Sequence, residues 1–295
     1  MADDAPHGPR IARPARWALG RVERSGGFVT RMTWHLVDGS SVRWASRPVR
    51  RRGRVEVRDA AGNVTRVVGA EPTTATRLAR ANVAAGVAFI VGGSLFALGP
   101  LLAQLDVGSV RTVDLVYLVG GVFFSTGGYV SVVQASNAPT SIDEGGTLRS
   151  TSWTWWAWQP LQIGWLSAAV LFAGTLFFGV SLVAAFASDL TARQSNGWIW
   201  LPDMLGCVFF LLSGHLALVE VCHGRIGLRP HDLGWWVVAV NQLGSVLFFL
   251  AGLAAFTRPA TSTVVDAGLV NWGTFGGAVC FVVGGALQLA ERPDR

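Results

Sequence analysis

The densest gathering of chemically capable side chains runs from Asp203 through Cys207, His215, Glu220, Cys222 and His223 to His231. A thiolate, an imidazole and a carboxylate are transition-metal ligands, and His215 and Cys222, seven apart, share a helix face. The spacing matches no standard zinc pattern, and no metal is expected. His215 is the ionisable group deepest in an apolar run. Such a group is a candidate for a proton relay or a substrate contact, with Asn241 and Gln242 as the polar side chains beside the same path. The plain alternative is a neutral His hydrogen-bonded between helices. Glu220 and Glu291 end their runs at the unfavourable end of the helix dipole, and Arg225 and Arg292 are the nearest compensating charges in sequence. Asp114, Asp203 and Asp266 lie where apolar runs begin. Three carboxylates at one mouth could draw cations, but a helix start itself favours a carboxylate, which is the preferred reading. No Gly-x-Ser-x-Gly, no His-Glu-x-x-His and no glycine loop followed by Lys-Ser/Thr is present. No catalytic residue and no cofactor is expected, and the chain does not read as an enzyme.

The elements that hold these residues are set by composition. The 295 residues are 51% hydrophobic and 14% charged, with 36 Gly and 13 Trp, and the mean hydropathy is +0.42. Soluble domains carry about 25% charge, so lipid is the expected solvent. All 24 basic residues are Arg. Sixteen precede position 81 against seven acids, so that segment is strongly basic and the remainder slightly acidic. Nucleic acid is not the expected partner, because a basic segment beside an apolar body suits an anionic membrane surface. Three cysteines, Cys207, Cys222 and Cys280, show no paired spacing and imply no disulfide framework.

Six apolar runs are long enough to span a bilayer: 81–105, 115–134, 161–187, 198–221, 233–256 and 267–290. Helices are expected, since lone strands cannot satisfy their backbone groups in lipid. The first run starts near Ala81, so no signal peptide is expected. With the N-terminus in the cytoplasm, 21 Arg lie inside and only Arg111, Arg193 and Arg258 outside. The positive-inside rule then places both termini in the cytoplasm of a bacterial inner (plasma) membrane. Trp153, Trp155, Trp156, Trp158, Trp198, Trp200, Trp235 and Trp236 cluster at run ends, as interfacial indoles do.

Residues 1–26 read as a basic tail and 27–70 as a small basic β region. Phe28, Met32, Trp34 and Leu36 alternate with Arg31, Thr33 and His35 before Asp38-Gly39, a hairpin signal. A second hairpin is expected over 54–68 around Gly62-Asn63. Four short strands make a small core, expected to lean on the membrane or a partner. Arg50, Arg51, Arg52 and Arg54 lie between the hairpins, either as a solvated loop or against anionic headgroups.

The strongest signal is internal repetition. Gly120, Phe124 and Gly128 recur as Gly206, Phe210 and Gly214, and again as Gly277, Phe281 and Gly285. Each set is followed six residues later by a polar side chain: Gln134, Glu220 and Glu291. The preceding runs share Gly92/Phe96, Gly174/Phe178 and Gly244/Phe248. The reading is three hairpin units, 81–137, 161–222 and 233–291, parallel repeats in which small residues allow close helix packing. The last unit, from Trp235, Asn241, Gly244, Ser245 and Phe248 to Asn271, Gly273, Phe275, Gly277, Phe281 and Glu291, resembles the YrhK-like family of small bacterial membrane proteins. The resemblance implies a two-helix unit and no assigned chemistry.

The expected fold class is therefore all-α integral membrane, with six transmembrane helices as three repeated hairpins behind a small β-rich region. The expected role is packing or interaction. The alternative is a small-solute or ion transporter or channel with His215 in its path.

Overall fold

The computed structural model of the chain describes residues 18–142, 148–149, 152–224 and 226–291. Its first part is a five-stranded antiparallel meander in the order β1 (Ala18–Ser25), β2 (Phe28–His35), β3 (Ser41–Ala45), β4 (Arg54–Arg58) and β5 (Val64–Gly69). Both hairpins anticipated at Asp38-Gly39 and Gly62-Asn63 are present. Register sets Met32 beside Trp44 and Trp34 beside Val42, so alternate residues of both strands share one buried face. Strand β1 extends the sheet into what had read as tail.

Between β3 and β4 runs α1 (Ser46–Arg52), closed by Gly53 in left-handed backbone with φ 59°. Its Val49 completes the sheet core together with Ile142 and Leu148. Those two belong to the short strands β6 (Ser141–Ile142) and β7 (Leu148–Arg149), in the loop after the second long helix. The small core thus gains apolar surface from the chain's own distant loop.

The long helices are α2 (Pro72–Gln104), α3 (Val110–Ser136), α4 (Ile163–Ala184), α6 (Leu201–Cys222), α7 (Leu233–Ala254) and α8 (Ala267–Ala290). A short α5 (Ala192–Ser195) and a π-helical turn (Asn196–Trp200) run directly into α6. All six spans are long and apolar enough to cross a membrane, which suggests a multi-pass membrane protein. α3 and the helix leading into α6 start a turn or more before their apolar runs, because polar caps lie upstream. Ser109 accepts from the Thr112 amide, and Thr191 with Gln194 forms a capping box.

The six pack as a closed ring in the order α2, α3, α4, α6, α7, α8 and back to α2. Within it, glycines face glycine carbonyls. A Cβ on Gly92 would stand 3.0 Å from the Gly120 oxygen, one on Gly206 3.0 Å from the Gly174 oxygen, and one on Gly244 2.9 Å from the Gly277 oxygen. Gly128, Gly214 and Gly285 lie instead against the neighbouring pair, at Phe172, Gln242 and Ile90. Leu98, Val122, Leu176, Leu212, Leu250 and Val283 are among the large apolar residues exposed on the outside.

Candidate functional site

Helix α1 lies at the sheet end of the bundle, where α3, α6 and α8 finish. Positions i, i+3 and i+4 of a helix share one face, and here they are Arg47, Arg50 and Arg51. Each arginine takes a different pair of long helices. Arg47 makes a two-pronged ion pair with Glu291, Nε to Oε1 at 3.2 Å and Nη2 to Oε2 at 2.9 Å. Arg50 Nη2 donates to Glu220 Oε2 at 2.7 Å, and the Ser46 hydroxyl donates to Oε1 at 2.6 Å. Arg51 Nη1 donates to Asn82 Oδ1 at 2.6 Å and to Gln134 Oε1 at 3.2 Å. None of the three is more than 8% exposed. A helix of seven residues is too short to persist alone; here packing and these bonds hold it.

Room for the arginines comes from glycine. A Cβ on Gly164 would stand 2.7 Å from Arg50 Nε, and one on Gly234 2.9 Å from Arg47 Nε. Gly164 and Gly234 each precede Phe178 and Phe248 by 14 residues, the same offset as Asn82 before Phe96. So the corresponding place in the first hairpin holds Asn82, a ligand of Arg51. This periodicity could have been found in the sequence; the residues that fill the space could not.

Glu220 and Glu291 therefore have their compensating charges in Arg50 and Arg47. The nearby Arg225 and Arg292 lie outside the described residues. Arg50 and Arg51, read as loop residues facing solvent or headgroups, are buried because α1 turns them into the bundle. Arg52 and Arg54 are half-buried.

Below the arginines a cavity of about 80 Å³ is lined by Ser131, Ser167, Ser213 and Asn241 among others. Its floor is phenylalanine. Phe124, Phe210 and Phe281 touch one another with ring centroids 5.3 to 6.2 Å apart. Each also meets the Phe of its own hairpin: Phe96 at 5.4 Å, Phe178 at 5.0 Å and Phe248 at 5.4 Å. Offset and edge-on pairs of this kind are favourable beyond their buried area. On the far side of the rings lies a second cavity of about 250 Å³.

His215 is exposed on the outward face of α6, while Asn241 and Gln242 are half-buried. Asn241 lines the small cavity, and Gln242 reaches across to the Leu211 carbonyl at 3.5 Å. The three do not converge. Cys222 is buried, with its thiol on the Gly227 carbonyl, and no group of three metal-ligating side chains occurs among the described residues. Of the three carboxylates read as helix starts, Asp266 caps α8 through the Leu269 amide. Asp114 does not, since Ser109 is the cap of α3. Nor does Asp203, because its helix continues upstream to Ala192.

Among the described residues Arg51 has no carboxylate of its own. Burial, then the like charges of Arg50 and Arg47, depress its pKa well below the usual arginine value. Gln134→Glu would place a carboxylate where the other two hairpins have one. The expected result is a rise in thermal stability by about 1 kcal/mol, the scale of a charged hydrogen bond less the desolvation of the new group. A differential melt of the purified chain checks it.

His223 ends α6 in left-handed backbone, φ 53°. Burial, then the Arg31 and Arg229 guanidiniums, push its imidazole down to about 4. The unfolded chain takes up this proton near pH 6.5 and the folded chain only near 4, so stability falls as pH drops through that window. Glu291 acts in the same direction. Burial opposes its charge, but Arg47 and Arg51 hold it below the ordinary carboxylate range, so its contribution is lost on acidification. Melting at pH 5 should lie below melting at pH 7. His223→Asn, which tolerates the same backbone, should flatten the slope between 6.5 and 4.

Comparison with family models, with curated proteins and with solved structures finds no match for this chain.

Proposed function

We propose that this is a non-enzymatic, multi-pass membrane protein whose bundle holds a small basic sheet against the cytoplasmic face of a plasma membrane. Three YrhK-like hairpins form the bundle, and α1 couples them to the sheet. The observation that carries this reading is the assignment of one buried arginine to each hairpin: Arg51 to the first, Arg50 to the second and Arg47 to the third. Coupling of this kind makes the sheet and all three hairpins one mechanical unit.

Several features support the orientation. The sheet end carries the arginine-rich segment, with Arg229 also on that side, whereas Arg111, Arg193 and Arg258 lie at the far end. Exposed Trp155, Trp156, Trp158 and Trp236 ring the sheet end, and exposed Trp198 and Trp272 the other. Interfacial indoles mark both edges of a hydrocarbon layer in this way. Arg52, Arg54 and Arg80 line a groove of about 1040 Å³ whose floor includes Val83, Val87 and Phe123. A basic rim above an apolar floor suits an anionic lipid, with the headgroup at the arginines.

Thiol labelling of the full chain in sealed membranes tests the orientation. In a background with the native cysteines replaced, Arg193→Cys should react with an impermeant reagent from outside. Leu228→Cys, at an 85% exposed position, should react only after permeabilisation. The opposite pattern refutes the reading.

A second reading, a solute path, is favoured by the two cavities stacked on either side of the phenylalanine layer. His215 would not line such a path. Asn241 on one side and Asp203 on the other would.

A further inference from the structure

We propose that the far-end cavity binds a monovalent organic cation, an amine or quaternary ammonium with a compact aromatic or aliphatic body. The inference does not depend on the anchoring role above. The cavity, about 250 Å³, is walled by Phe, Tyr and Trp rings and contains two carboxylates, Asp203 and Asp114. Among the described residues no Arg or His lines it. Its acidic side chains thus have no basic side chain beside them in the lining, and its apolar walls are π-faces, which attract cations through the ring quadrupole. A neutral or anionic ligand would use only half of this chemistry.

Two further observations concern Asp203. It sits inside a membrane-length span, within the bundle, and no hydrogen bond or ion pair from a described residue reaches its carboxylate. An acid in that setting calls for a charged partner, and the structure leaves the cavity as the place for one. Its carboxylate lies against Gly252, where a Cβ would stand 3.3 Å from Oδ2. The backbone just before Asp203 is the π-helical turn Asn196–Trp200, a rare geometry that recurs at functional sites. That turn delivers Trp200 to the cavity wall, its indole N–H fixed on the Gly252 carbonyl at 2.9 Å. A ring held at its edge presents a face to a ligand without a loss of rotamer freedom on binding.

The lining hydroxyls, Thr175, Ser181 and Ser195 among them, could receive an ammonium N–H. No group of three metal-ligating side chains occurs among the described residues, and the aromatic walls favour an organic cation over a bare metal ion. The volume admits one ring with a short charged arm, below the usual range for drug-sized ligands.

Isothermal titration of the full chain in lipid nanodiscs tests the site, with empty nanodiscs subtracting partition into lipid. The probes are benzyltrimethylammonium, neutral 2-phenylethanol and anionic phenylacetate. The expected result is saturable binding of the cation, preferred over both comparators, and weakened at least about tenfold by Asp203→Asn with the melting temperature retained. Absence of saturable cation binding overturns the proposal. So does binding of the alcohol or phenylacetate as tightly as the cation, or an unchanged affinity in a folded Asp203→Asn chain. Should that variant fail to fold, the wild-type comparison decides alone: preference for the cation over the alcohol supports the site, and equal binding sinks it.

Discussion

Glu220→Leu should destabilise the docked sheet by about 3–5 kcal/mol, the scale seen when one partner of a buried ion pair is removed. The side chains of Arg50 and Glu220 are 7% and 0% exposed, so solvent does little to screen the loss. The substitution orphans both the Arg50 guanidinium and the Ser46 hydroxyl. Arg50→Leu should cost a similar amount by leaving the carboxylate with Ser46 and the more distant Arg47. The double variant is the informative one. With both charges gone and apolar groups in their place, most of the loss should be recovered, because the pair itself contributes little beyond its own desolvation. Thermal melts of the four chains in one detergent, read as a cycle, check this. Additive losses in the double variant would mean that the two side chains do not face each other.

Gly244→Ala should be nearly as damaging through a different cause. The new methyl would stand 2.9 Å from the Gly277 carbonyl oxygen and 2.9 Å from Cys280 Cβ. Neither is the loose end of a flexible side chain, so α7 and α8 must separate. Overpacking of this kind costs about 1–3 kcal/mol, and helix contact in lipid has no hydrophobic drive to offset it. Gly179→Ala is the control. It has open space around its Cβ, and alanine is the better helix former. The expected result is a lowered melting temperature for Gly244→Ala and none for Gly179→Ala. Equal effects would mean that helix propensity rather than close approach sets the cost.

How much of this was readable beforehand follows from the range of each interaction. The six spans were legible because each is a continuous apolar run. The two hairpins were legible because the alternation of Phe28 to Leu36 and the turns at Gly39 and Gly62 are local signals. Strand β1 was missed: its arginines Arg21 and Arg24 made it look like tail, although Gly26-Gly27 is a turn signal before Phe28. Helix α1 was missed for a related reason. Arg50, Arg51, Arg52 and Arg54 suggested a solvated loop or a headgroup contact, and the i, i+3, i+4 spacing of Arg47, Arg50 and Arg51 was not weighed. The need of Glu220 and Glu291 for compensation was visible at the helix ends. Their partners, 170 and 244 residues away, were not, since a lone sequence carries no record of who faces whom at that distance. His215 was singled out for its depth in an apolar run. Depth says nothing about which face a residue occupies, and the structure puts it on the outside. Asp203 was read as a helix start because the apolar run begins near it. The polar cap at Thr191 lies outside that run and extends the helix past the carboxylate.

Amide hydrogen exchange over Ser46–Arg52, in the full chain embedded in lipid nanodiscs, tests the arginine clasp most directly. A seven-residue helix in solvent exchanges within moments, so slow exchange requires docking. The account predicts strong protection of Val49 to Gly53 in the wild-type chain, lost in a Glu220→Leu, Glu291→Leu variant while α2 to α8 stay protected. Rapid exchange of this segment in the wild-type chain would contradict it.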